Sequence, residues 1–256
     1  MPPSARTLIA SDRVLVLGHR GNSHAFPENT LPAFRSAAAL GVDFVELDYR
    51  HSADGVPIVI HDERLGRTTD AARRWPEADL AVATHSAAEL RELDAGSWRG
   101  PEFAGTRLST LAETLGALPN ACFMIERKTG SAAVCVDLLT RLKAFDRTIV
   151  QAFDHSFLEE CRRLSPQILL GALGEKELSD AALERAHAFG MAVIGWKAAD
   201  WTAEAVARTH RAGFKAWAWT VDEPAEAERL LAAGIDALIS NAPERIKEVV
   251  ARTPRR

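Results

Sequence analysis

What most limits this chain is the regular recurrence of short runs that are apolar almost from end to end. Eight can be read in order: RVLVLGH, DFVELDYR, ACFMIERK, TIVQAF, QILLGAL, MAVIGW, KAWAWT and DALIS. Strands buried on both faces read this way, whereas a strand with one wet face alternates apolar with polar residues. Between most of the runs lie stretches with helical spacing, such as SAAVCVDLLTRLKAF, HSFLEECRRL and TAEAVARTHRAG, several ended by a glycine in the helix-closing position. Pro224 and Pro243 fall where first helical turns would begin. Strand and helix repeated in this way imply a parallel sheet covered by helices. Eight such units in 256 residues favour a closed (β/α)8 TIM barrel, read as a single domain over residues 1–256. The open, doubly wound alternative lacks its glycine fingerprint, because LGHRGN does not supply G-x-G-x-x-G.

One stretch breaks the rhythm. From about Asp62 to Arg107 the chain is rich in turn formers and charge before STLAETLGAL resumes a helix. A connection this long inside a compact barrel is usually functional, and it is expected to be an insertion over one mouth. Composition narrows the partners. With 31 basic against 35 acidic residues and no Lys/Arg run longer than the terminal PRR, neither nucleic acid nor an anionic membrane is expected. The opening MPPSARTLIASDR has no apolar core of signal-peptide length, and no stretch approaches the roughly 18 apolar residues of a membrane span. A cytoplasmic protein with no stable membrane association is the expectation. Cys122, Cys135 and Cys161 sit in apolar patterns without metal-ligand spacing and read as core residues of a reducing compartment.

The expected barrel gives the polar residues a location, since active sites of this fold lie at the C-terminal ends of the strands. His19 ends the first run. Glu46 and Asp48 share a side near the end of the second, because side chains alternate along a strand. Glu126 and Lys128 share parity at the same height in the next, and GVPIVIHD brings His61 and Asp62 to the end of a short extended segment. Three carboxylates with no cysteine nearby form a hard oxygen site suited to Mg²⁺ or Ca²⁺. The alternative is a salt-bridged interior in which Lys128 and Arg20 neutralise the acids. Two histidines at one mouth could supply both proton transfers of a phosphodiester cleavage near neutral pH. Arg20 and Lys128 suit an anionic phosphate. Glu28, Asn29 and Thr30 read as turn and capping residues, as do Asp94 and Asp222. His24, His51, His85, His155, His187 and His210 show no partner spacing. Trp217 and Trp219 share one strand face, as barrel filling or as a pocket wall, with Trp219 nearer the mouth.

These residues also carry a family resemblance. His19-Arg20-Gly21, Pro27-Glu28-Asn29-Thr30, Glu46-Leu47-Asp48, Asp54-Gly55 followed by His61-Asp62, Leu65 with Arg67-Thr68-Thr69, and Glu126-Arg127-Lys128 together resemble the glycerophosphodiester phosphodiesterases. AWAWTVD and GIDALISNAPE are similar to the family's late strands, with Asn241 where an aspartate is more usual. The resemblance implies a metal-dependent enzyme in which Glu46, Asp48 and Glu126 hold the divalent cation. It implies His19 and His61 as the acid–base pair, Arg20 and Lys128 on the phosphate, and a small-molecule glycerophosphodiester as substrate. The products would be glycerol 3-phosphate and an alcohol such as choline, ethanolamine or glycerol. Competing readings are a lysophospholipase D or phosphoinositide-type phospholipase, and a non-catalytic barrel that binds phosphate ligands. Oligomeric state is left open.

Overall fold

The computed structural model describes residues 4 to 253, so the PRR tail and the first three residues of the opening segment lie outside the described residues. The eight apolar runs form eight parallel strands: β1 (Leu15–Gly18), β2 (Phe44–His51), β4 (Phe123–Arg127), β5 (Thr148–Ala152), β6 (Leu169–Gly174), β7 (Val193–Lys197), β8 (Lys215–Trp219) and β9 (Ala237–Ser240). Each pairs with the next, and β1 pairs with both β2 and β9, which closes the sheet into a TIM barrel. β3 (Pro57–Val59) stands outside this cycle. It folds back antiparallel on the end of β2 through the turn at Gly55.

The period of two sorts the strand residues into two apolar layers. Leu17, Phe44, Met124, Ile149, Val193 and Trp217 fill the barrel interior. Val45, Leu47, Ile125, Val150, Leu170 and Leu238 face outward and are sealed by the surrounding helices. Cys135 and Cys161 belong to this outer layer and Cys122 to the inner one, all buried and none in a disulfide. Towards the C-terminal ends the inward positions turn polar: Glu46 and Asp48 follow Phe44, Glu126 follows Met124, and Gln151 follows Ile149. The register places Asp48 beside Glu126 and Glu126 beside Gln151.

The segment between β3 and the helix Leu111–Ala117 has a small apolar core of its own, built on Ile60, Leu65, Val82, Leu90, Leu93 and Leu108. Its short helix Ala87–Leu90 starts in a capping box made by Ser86 and Glu89. Asp94 accepts from the backbone N–H groups of Gly96, Ser97 and Gly105, a turn role as expected. The segment packs on the loop after β1: Phe103 lies 5.5 Å from Phe26 between ring centroids, and Arg67 grips Glu28 with two hydrogen bonds of 2.7 Å.

Candidate active site

The site is assembled first at the end of β1. Gly21 has φ +84°, and a Cβ there would stand 2.6 Å from the backbone carbon of Ala33, so the loop can lie against the helix Leu31–Ala39 only without a side chain. This turn aims the Arg20 backbone N–H at Glu46 Oε2, 2.8 Å away. Farther along the loop Asn29, also left-handed at φ +55°, donates from Nδ2 to Asp48 Oδ2 at 2.9 Å. Its Oδ1 accepts the Asp48 backbone N–H at 3.1 Å. Asn29 is therefore not a helix cap but the residue that orients the central acid. Thr30 takes the N-cap position without a side-chain capping bond; its hydroxyl donates to the Pro27 carbonyl at 2.6 Å. Glu28 is likewise more than a turn residue: it joins Arg20 at 2.8 Å to Arg67 at 2.7 Å.

Glu46, Asp48 and Glu126 are buried side by side, each offering a carboxylate oxygen within 4.8 Å of the others. Burial pushes the Glu46 carboxyl well above its usual range, and the charges of Asp48 and Glu126 push the same way. Burial and Asp48 likewise raise Glu126 to about 7, against the pull of Lys128. Burial also works against ionised Asp48, but Lys128 and Arg20 outweigh it and hold that carboxyl down at about 2. The contacts agree: Lys128 Nζ lies 3.3 Å from Asp48 Oδ1 and also meets Glu126 Oε1, while Arg20 Nε lies 3.3 Å from Asp48 Oδ2. Asp48 Oδ1 is buried and, with Lys128 as its ion-pair neighbour, makes no hydrogen bond. A set of hard oxygens, one of them not hydrogen-bonded and two reluctant to ionise together, fits a divalent cation that would let all three carry charge. The salt-bridged interior and the cation site are thus the same group of residues.

His19, Arg20, Glu46, His61, Glu126 and Lys128 line one wall of a cavity of about 260 Å³; Gln151, Phe153, Leu173, Trp219, Thr220 and Ile239 complete it. None of its lining residues comes from positions 62–107. Trp219, inward-facing at the end of β8, is a cavity wall, whereas Trp217 below it is barrel filling against Phe44. Phe153 is half exposed at the mouth and meets the Trp219 ring edge-to-face at 5.7 Å. Gln151 Oε1 is buried without a partner. Gln151 and Phe153 were not singled out from the sequence, although a glutamine inside the apolar run TIVQAF was a legible signal.

The two histidines are held differently. His61 Nδ1 lies 2.7 Å from Asp62 Oδ1, and Asp62 is held in turn by Arg67 Nε at 2.5 Å. His19 Nδ1 lies 2.7 Å from Asn241 Oδ1, a neutral amide. Burial and then the Arg20 charge lower the His19 imidazole to about 4, so it is neutral at physiological pH; burial also lowers His61. The other six histidines do not line this cavity. His210, for example, pairs with Asp236 at 2.7 Å.

A strand-end mouth of a TIM barrel that combines two histidines, an acidic triad and two cationic side chains is chemically suited to a phosphoric diester. Comparison with known proteins gives the particular family. The profile of the glycerophosphoryl diester phosphodiesterase family matches residues 19–245, and the chain belongs to that family. A glycerophosphodiester phosphodiesterase of Caldanaerobacter subterraneus subsp. tengcongensis is 32% identical over 255 residues, covering 94% of this chain and 99% of the relative. One of Bacillus subtilis is 30% identical, covering 96% and 89%. Among solved structures, an Oleispira antarctica phosphodiesterase in complex with the product sn-glycerol-3-phosphate superposes with a TM-score of 0.86 at 28% identity, covering 95% of this chain and 99% of that one. This chain is accordingly an enzyme that hydrolyses glycerophosphodiesters. Among the described residues no helix is long and apolar enough to cross a membrane.

Proposed function

We propose that the chain cleaves small soluble glycerophosphodiesters to glycerol 3-phosphate and an alcohol, with Mg²⁺ or Ca²⁺ held by Glu46, Asp48 and Glu126. The observation that carries this reading is the division of the cavity: ionisable groups from β1, β2, β4 and the β3 end on one side, neutral and aromatic groups from β5, β6, β8 and β9 on the other. A diester has the same division, with an anionic phosphorus centre and two neutral or cationic arms. A cation bound by the triad would supply Lewis-acid polarisation and charge neutralisation at the phosphoryl oxygens. Arg20 and Lys128 face that charge as well.

Proton transfer falls to the histidines. His19, whose Nδ1 is occupied by Asn241, presents Nε2 as an acceptor for the proton of the attacking hydroxyl, whether from water or from the substrate's own glycerol. The new P–O bond forms as the bond to the alcohol breaks, and His61 supplies the proton that the departing oxygen takes up; where the glycerol hydroxyl attacks, the product of this step is a cyclic phosphate, which water then opens to glycerol 3-phosphate. Its carboxylate partner Asp62 favours the protonated ring that this role requires, against the burial that lowers the imidazole below its ordinary value. Residues 62–107 act in this reading as a rim: Arg67 ties Asp62 to Glu28 and so ties the His61 loop to the Arg20 loop. The aromatic pair Phe153 and Trp219 supports a second reading, a lysophospholipase D whose substrate leaves an acyl chain on that side. The direct test is release of glycerol 3-phosphate from glycerophosphocholine. Turnover is expected with Mg²⁺ or Ca²⁺ and not after exhaustive chelation. Full turnover in chelator would sink the carboxylate assignment, and no product with either ion would sink the substrate class.

A further inference from the structure

Asn241 and Asp222 lie at the ends of the last two barrel strands, and neither was expected to bear on chemistry. Their hydrogen bonds run in one direction. Asp222 Oδ2 accepts from Asn241 Nδ2 at 2.6 Å, and Asp222 Oδ1 accepts from the Asn241 backbone N–H at 2.7 Å and from Ser240 Oγ at 2.9 Å. A carboxylate offers only acceptors, so the Asn241 amide must turn its NH₂ towards Asp222 and its carbonyl oxygen towards His19. Ser23 Oγ lies 2.9 Å from that same oxygen and 2.7 Å from the His19 carbonyl, and its single hydrogen is shared between these two acceptors. An amide oxygen in turn can only accept. His19 Nδ1 must therefore carry the ring hydrogen in the neutral imidazole, which leaves the Nε2 lone pair for the cavity.

We propose that Asp222 and Asn241 are positioning residues that act through His19, with Asp222 setting the direction of the Asn241 amide and Asn241 setting the tautomer and orientation of the imidazole. The proposal rests on His19 being a proton-transfer group. The neutral amide differs from a carboxylate in its place: it passes on the direction of the hydrogen bond with no negative charge of its own beside the ring, and so favours protonation of His19 less than a carboxylate would.

The test pairs turnover of glycerophosphocholine at pH 8 with ¹⁵N spectra of histidine-labelled, Mg²⁺-loaded protein, in which the His19 ring signals are those absent from His19→Ala. The wild type is expected to show the Nδ1–H tautomer. Asn241→Leu should give a mixed or reversed tautomer, with kcat lower by about tenfold or more and KM within about threefold, the pattern of a lost transition-state contribution. Asn241→Asp sets two carboxylates against each other and should lose about as much; adding Asp222→Asn restores an amide facing a carboxylate and should bring kcat back to within about threefold of wild type. Helix-end capping alone predicts no such recovery. A folded Asn241→Leu with an unmoved tautomer and wild-type kcat overturns the proposal. So does failure of the double variant to recover what Asn241→Asp lost, which keeps the test decisive if Asn241→Leu does not fold. A moved tautomer with wild-type kcat would instead overturn the catalytic assignment of His19 beneath it.

Discussion

Replacing Glu126 by glutamine in cation-free protein should stabilise the fold at alkaline pH. Glu126 lies in the acidic triad with its carboxyl raised from 4.5 to about 7, so the folded state holds its proton where the unfolded chain has released it. A raised carboxyl contributes stability that is fully present below pH 4.5 and is lost as pH rises through about 7. At about 1.36 kcal/mol per pH unit, the rise corresponds to about 3 kcal/mol, most of it lost between roughly pH 5 and pH 8. Glutamine matches the protonated acid in shape and has no charge to lose, and Lys128 keeps Asp48 at 3.3 Å as a partner. Urea unfolding in chelator should therefore find Glu126→Gln close to wild type at pH 5 and more stable by about 2 to 3 kcal/mol at pH 8. Histidine titrations act on both proteins alike and drop out of the comparison. Adding Mg²⁺ at pH 8 should cancel the difference at about a hundred times its Kd, where a ligand stabilises by about 2.7 kcal/mol, and reverse the order at about a thousand times, where it stabilises by about 4.1 kcal/mol, since the variant has lost a ligand group. A difference between the two proteins that does not move with pH would refute the electrostatic account of the triad.

Other outcomes follow from the same geometry. His19→Ala and His61→Ala should each lower kcat by about 10² to 10⁴ while remaining folded and cation-stabilised; wild-type turnover with a weakened fold would make that histidine a core residue only. Glycerophosphocholine should be cleaved with a higher kcat/KM than lysophosphatidylcholine, and the protein should not co-sediment with liposomes, because the cavity of about 260 Å³ suits a small diester. A tenfold or greater preference for lysophosphatidylcholine below its micelle concentration would promote the lysophospholipase reading. Gly21→Ala should destabilise by about 2 to 4 kcal/mol in urea, combining left-handed strain with a clash against the Ala33 backbone. A loss of only a few tenths would show that the loop can step back from the helix.

The parts legible in the sequence were those governed by periodicity. Every barrel strand announced itself because both of its faces are buried, and parity placed Glu46, Asp48, Glu126 and Trp219 inward. What remained hidden depends on loops crossing between distant parts of the chain. Asn29 reaches Asp48 from a left-handed loop residue, a geometry that PENT does not advertise beyond its turn character. The Asp222–Asn241–His19 chain joins three strand ends that only barrel closure brings together. Residues 62–107 read as a charged, turn-rich insertion with no strand or helix period of its own, yet their apolar residues converge into a small core once β3 folds back on β2.

Barrel closure has a bearing on when the enzyme becomes competent. β1 is synthesised first and β9 last, yet they are hydrogen-bonded neighbours, with Leu15 beside Ala237 and Gly18 beside Ser240. A chain halted on the ribosome before Ala237 already contains both histidines and all three acids. It leaves β1 with an open edge and the His19 ring without its Asn241 anchor. Contacts of such long range are also slow to form, since the loop closure that brings them together must be met before they stabilise anything. The His19 ring, the base of the proposed mechanism, is thus steadied by a residue 222 positions later in the chain, and chains that have not reached it lack that anchor.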